Sequence, residues 1–176
     1  MSGQNKVPER LVNFTVFDEN DNRLGVATVD LPEIALMTDT VSGSGIAGEI
    51  DTPVLGHYQS MTATLHWRTI EAESVKFLTQ KSHQLQFRGS QQVYDAGQGT
   101  LVTVPVRAVM KLTPKRYALG SLEPGATVEG ENEFEVTYIK LFVDGDEVLE
   151  IDKYNFISKI NGEDSLESVR QDLGLN

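Results

Sequence analysis

The stretch VSGSGIAGEIDTPVLGHYQSMTATLHWRTIE, residues 41–71, joins a glycine-punctuated segment to the cleanest two-residue alternation in the chain. Over residues 60–68, Met61, Ala63, Leu65 and Trp67 fall on one side, and Ser60, Thr62, Thr64, His66 and Arg68 on the other. That is the period of a strand with one buried face, and the single tryptophan lies on that face. Upstream, Gly43, Gly45, Gly48 and Gly56 interrupt both helix and strand patterns, and Pro53 lacks a backbone donor. The expectation is an extended loop over 38–57, too long to be idle inside a compact domain. Ile46, Ile50, Val54 and Leu55 are apolar residues that a permanently solvated loop has little reason to carry, so burial against a neighbouring molecule is expected. Residues 43–48 also spell G-x-G-x-x-G, but a phosphate-binding turn needs a helix N-terminus immediately after it. Glu49, Ile50, Asp51, Thr52 and Pro53 put two carboxylates and a proline there, so Gly43, Gly45 and Gly48 read as backbone freedom or close approach.

Working outward, 176 residues suit one domain, large enough to build a core without disulfides or metal. The absence of cysteine removes thiolate nucleophiles, disulfide frameworks and Cys-ligated zinc, and fits a reducing compartment. No apolar N-terminal leader and no membrane-length apolar run is present, so folding in a cytoplasm without membrane binding is expected. A formal charge of −11 argues against wrapping nucleic acid, which is driven by lysine and arginine displacing counterions.

Residues 1–8 read as a short polar arm. Residues 11–17, with Val12, Phe14 and Val16 on one face, and residues 23–29 form a predicted hairpin across an Asx-rich turn at 18–22. That turn begins like a calcium loop, but Arg23 and Val29 stand where the glycine and the bidentate glutamate belong. A helix after the Trp67 strand is expected, capped by Thr69, with Ile70, Val75, Phe77 and Leu78 as its apolar stripe. Strands are expected around Leu85 and Phe87 and, after a turn at 95–99, along Val102 to Leu112. There Pro105 suggests an edge or a bulge, and an uncovered edge would invite pairing with another chain. Residues 133–143 form a further strand, turned by Asp144-Gly145 into a hairpin. A terminal helix with Leu166, Val169 and Leu173 on one face is started by Asp164 and Glu167 and stopped by Gly174.

His57, His66 and His83 lack metal-pair spacing, G-x-S-x-G does not occur, and paired acids such as Asp144 and Asp146 flank a turn where solvation explains them. No catalytic, cofactor or metal site is therefore assigned. Two function classes remain: a self-assembling structural protein, and a free-standing β-sandwich binding module using the Gly-rich loop 41–57.

Residues 43–51, Gly56-His57, Ser60-Met61, Leu65, Trp67-Arg68-Thr69, Ile160-Asn161-Gly162, Leu166, Arg170 and Leu173-Gly174-Leu175, taken in order, resemble the major tail tube proteins of contractile-tailed, P2-like bacteriophages. The resemblance runs from Pro8 to Leu175. It implies a mainly β fold, a β-barrel or sandwich with one packed helix and a short C-terminal helix, in a single tail tube domain over 1–176. It also implies a non-enzymatic subunit of hexameric rings that stack into the conduit for DNA or effectors in a phage or a tailocin-like particle. The implied partners are further copies, sheath, tape-measure protein, baseplate hub and tail terminator, with DNA as transient cargo. The implied location is the virion tail, assembled in the bacterial host cytoplasm. Under that reading Gly43, Gly45, Ile46, Gly48, Glu49, Ile50, Asp51, Val54 and Leu55 become interface candidates. Glu133 and Glu135, on the polar register of their strand, become candidates for a negative channel wall that does not retain DNA.

Overall fold

The computed structural model describes residues 5–175, and strands dominate them. In chain order these are β1 (Lys6–Phe17), β2 (Arg23–Leu24), β3 (Val26–Asp30), β4 (Leu36–Ser42), β5 (Glu49–Tyr58) and β6 (Thr62–Trp67). Helix α1 (Ala72–Lys76) precedes β7 (His83–Asp95), β8 (Thr100–Ala118), β9 (Gly130–Val143), β10 (Asp146–Asp152), β11 (Ile157–Ile160) and β12 (Glu163–Asp164), and α2 (Glu167–Asp172) ends the chain.

The main sheet runs β12-β11-β10-β9-β8-β7-β1-β2, with every adjacent pair antiparallel. β9 serves two neighbours on one edge: residues 130–135 pair with β6, and residues 138–143 with β10. Thr137 is the extra residue at that change of partner. Its carbonyl accepts the Lys153 N–H at 3.1 Å, and the adjacent Val136 N–H donates to the Met61 carbonyl at 2.7 Å, so the bulge leaves neither group orphaned. β6 carries β3 on its far side, and β3 is one residue from β2, so the layers curl into a barrel closed by the chain itself at Gly25. The carboxylate of Glu71 fills the place a side chain at Gly25 would need.

Alternation decides the core. Met61, Ala63, Leu65 and Trp67 are all buried, facing Leu85, Met110, Leu112, Phe134 and Val136. Phe77, just past α1, plugs one end, edge-on to His83 and Phe134 at centroid distances of 5.2 and 6.1 Å. Each such fully buried large side chain contributes on the order of 1.5–3 kcal/mol.

Several expectations are corrected. The loop expected over 38–57 is a two-stranded ribbon, β4 with β5, and only 43–48 form its turn. Thr38, Thr40, Val41, Ile50, Thr52 and Val54 favour extended backbone, and Pro53 is tolerated because both ribbon edges are open. β1 begins at Lys6, so part of the expected polar arm is strand, while residues 1–4 lie outside the described residues. The first hairpin is brief: only Val16 and Phe17 pair with Leu24 and Arg23, before β3 crosses to β6. Val12 is exposed. Thr69 does not cap α1; Glu71 occupies the N-cap without a side-chain bond, and of the predicted stripe only Phe77 is buried. β8 is flanked by β7 and β9 along most of its length, so it is no edge strand. Pro105 sits where β9 gives way to the Asp144 turn, its carbonyl accepting the Asp144 N–H at 2.9 Å.

Candidate assembly surfaces

Among the described residues the β4–β5 ribbon pairs with no other strand, and every residue of β4 is exposed. Paired residues share a face, so its register sorts the side chains. Val41 opposes Ile50 and Asp39 opposes Thr52, which puts Met37, Val41, Ile50 and Val54 on one face, largely apolar but with Asp39 and Thr52 among them. Ser42 opposes Glu49 and Thr40 opposes Asp51, with the Thr40 hydroxyl donating to Asp51 at 2.7 Å, which makes the other face polar and acidic. Gly43, Gly45 and Gly48 all take positive φ at the turn with open space around them, so within this chain they serve backbone conformation, not close packing. Ile46 is half-buried there, its N–H donating to the Gly43 carbonyl at 3.1 Å, and Leu55 is exposed nearer the root.

The root is firmly held. Gly56 has φ of +66° and is covered by the Leu166 side chain, so a Cβ there has no room. Tyr58 shares a 2.7 Å hydrogen bond with the buried Ser158, and Lys153 donates to the Gln59 carbonyl at 2.7 Å. α2 supplies Leu166. The Asp164 carboxylate accepts the Leu166 N–H at 3.1 Å and the Arg170 guanidinium at 2.6 Å, and Arg170 also donates to the Phe156 carbonyl at 2.7 Å. The hydrogen bond from Arg170 holds the Asp164 carboxyl below the usual carboxylate range, against the opposing effect of burial. Gly174, at φ of +70°, ends the helix with Leu175 N–H returning to the Arg170 carbonyl and Gly174 N–H to that of Gln171, as its sequence position predicts.

Glu133 and Glu135 lie half-buried on the outer face of β9. Lys115 stands 3.6 Å from each, Arg116 contacts Glu131 and lies 3.4 Å from Glu133, and Lys153 is 3.5 Å from Glu135. Burial opposes ionisation of Glu135, but the Ser60 hydroxyl, the Met61 N–H and the two lysines outweigh it and lower its pKa. Three acids thus meet three bases.

Beyond the Thr137 bulge the same strand carries a different surface. Arg107 lies over the Phe142 ring at 4.2 Å, Lys111 over Tyr138 at 5.2 Å, and Arg88 over Phe17 at 4.4 Å. Lys140 is 2.8 Å from Glu147 and also approaches Phe142. This surface is not visible in the sequence, because its members come from four strands and meet only through the register of the sheet. Among the described residues there is no group of three or more histidines or acids that could hold a metal ion, and no helix long and apolar enough to cross a membrane.

Residues 8–174 match the phage tail tube protein FII family. The tail tube protein of Escherichia phage P2 is 30% identical over 179 residues, covering 96% of this chain and 99% of that one. The major tail tube protein of Serratia phage KSP20 is 24% identical, covering 89% and 90%. The fold is shared with chains in the extended sheath–tube complex and the sheath/tube terminator of the PVC extracellular contractile injection system. Their TM-scores are 0.52 and 0.53 at 15% and 12% identity, covering 74% and 77% of this chain and 88% and 96% of theirs. A mostly β chain, matched along nearly its whole length by these relatives, belongs to the phage tail tube protein FII family, a family of structural tail tube proteins and not of enzymes.

Proposed function

We propose that copies of this chain close head to tail into hexameric rings, and that the rings stack into a hollow tube through which DNA or effector proteins pass. The observation that carries this reading is the two-faced ribbon standing off the barrel. Met37, Val41, Ile50 and Val54 lie exposed on one face of the ribbon around Asp39 and Thr52, and among the described residues no element covers them. Gly43, Gly45, Ile46, Gly48, Glu49, Ile50, Asp51, Val54 and Leu55 are the interface residues under this reading, and a ring repeats their contact at every subunit. Sheath and terminator are natural partners, since the fold recurs in chains of a sheath–tube complex and a sheath/tube terminator. Tape-measure protein and baseplate hub complete the particle, and assembly takes place in the host cytoplasm. If Glu133 and Glu135 line the channel, their pairing with Lys115, Arg116 and Lys153 makes that level of the wall nearly neutral. Cargo would then slide because charges are balanced, not because acid is in excess.

The test replaces residues 38–55 by a short Gly-Ser linker. The variant is expected to remain soluble and folded, because the barrel core lies elsewhere, yet to form no tubes by electron microscopy. Tubes at the wild-type protein concentration would remove the ribbon from assembly.

A further inference from the structure

We propose that the acidic face of the ribbon docks on the Arg107–Lys111 surface of a second copy. The inference rests on the assembly reading above and adds which two surfaces meet.

Charge is unevenly placed along this chain. Residues 24–67 contain Asp30, Glu33, Asp39, Glu49 and Asp51 and neither a lysine nor an arginine. The ribbon in that stretch is therefore an acidic arm without internal compensation. Arg107 and Lys111 are its counterpart. They are exposed on the outer face of β8, and the ion pairs of that region are taken by Lys140 and Lys159 with Glu147 and Glu150, so these two cations rest on Phe142 and Tyr138. A cation above an aromatic face keeps its outer side available for a carboxylate. Val109 lies between them on the same face, beside Phe142 and Lys140.

The spacings fit. Four residues along a strand separate Arg107 from Lys111 by roughly 13 Å, and two residues separate Glu49 from Asp51 by roughly 7 Å. Each long basic side chain need lean inward by only about 3 Å to meet a carboxylate, with Val109 beneath the pair. A head-to-tail ring or stack requires two different patches on one chain that complement each other, and the acidic ribbon face and this basic, aromatic face are such a pair. The apolar face of the ribbon stays free for the burial already argued.

Arg107→Glu combined with Lys111→Glu should raise the critical concentration for assembly, read by sedimentation, by about tenfold or more while thermal melting stays near wild type. Adding Glu49→Lys and Asp51→Lys to that chain should return it to within about threefold of wild type, the signature of a direct contact. Assembly of the first variant at the wild-type concentration, or a folded fourfold variant that stays unassembled, overturns the proposal. A milder pair, Arg107→Gln with Lys111→Gln, guards against misfolding. Its assembly should lose most of the salt dependence of the wild type, and unchanged salt dependence also overturns the proposal. If the linker variant fails to assemble while the Arg107, Lys111 variants assemble normally, the ribbon reading stands and this docking site falls. If the linker variant assembles, both fall.

Discussion

Asn132 accepts the Trp67 indole N–H at 2.8 Å and donates to the Ser74 carbonyl at 3.1 Å, buried where β9, β6 and α1 meet. Asn132→Leu keeps the size but strands both partners in the core. An expected loss of about 2–4 kcal/mol follows from two unsatisfied buried groups, measurable by urea unfolding. This bond was not legible in the sequence, where the strand reads from Glu133 and Asn132 passes for a loop residue. Asp164 makes a pH prediction. Its carboxyl is held below the usual range by Arg170, so its stabilising effect is fully present above pH ~4 and is lost as pH falls through the depressed folded-state value. Asp164→Asn should therefore flatten part of the decline in stability below pH ~4, in melts recorded against pH. A decline as steep as in the unaltered chain would mean other carboxylates dominate.

At the scale of elements, the ribbon depends on α2 for its direction. Gly56→Ala asks for a left-handed backbone with a Cβ, about 1 kcal/mol or more, and drives that Cβ into Leu166. The expected result is loosened α2, seen as faster hydrogen exchange of the Arg170 and Leu175 amides, and a ribbon aimed elsewhere. Gly25→Ala meets the Glu71 carboxylate instead and should spare α2. Alternation made β6 and β9 legible, and Asp144-Gly145 announced its hairpin, with φ of +53° and +87°. The ribbon is hidden in the sequence because four glycines read as loop formers, although Gly43, Gly45 and Gly48 are confined to its tip and Gly56 to its root. The interface candidates nevertheless fall together on that one element. Glu133 and Glu135 lie on the less buried side of β9, where alternation puts them, but the bases that neutralise them come from bulged or distant positions that spacing does not reveal.

For the whole molecule, assembly should need no cofactor: tubes are expected to form equally well in excess EDTA, by sedimentation and microscopy, and their loss would point to a metal bridging copies. The barrel's closure has a consequence for how the chain is made. β1 finds its ladder only with β7, while β2 holds just its last two residues, and β3 lies across Gly25 with another partner. At 5–20 residues per second, the first strand to leave the ribosome waits roughly 4–16 s for the strand that will receive it. During that interval Val7, Leu11 and Val12 travel unpaired. Pro8 and the register shifts that follow it and follow Leu11 make β1 a poor template for a stray strand. In a cell making many copies at once, a β1 that pairs poorly with stray strands is expected to reach its own β7 before it meets another copy's.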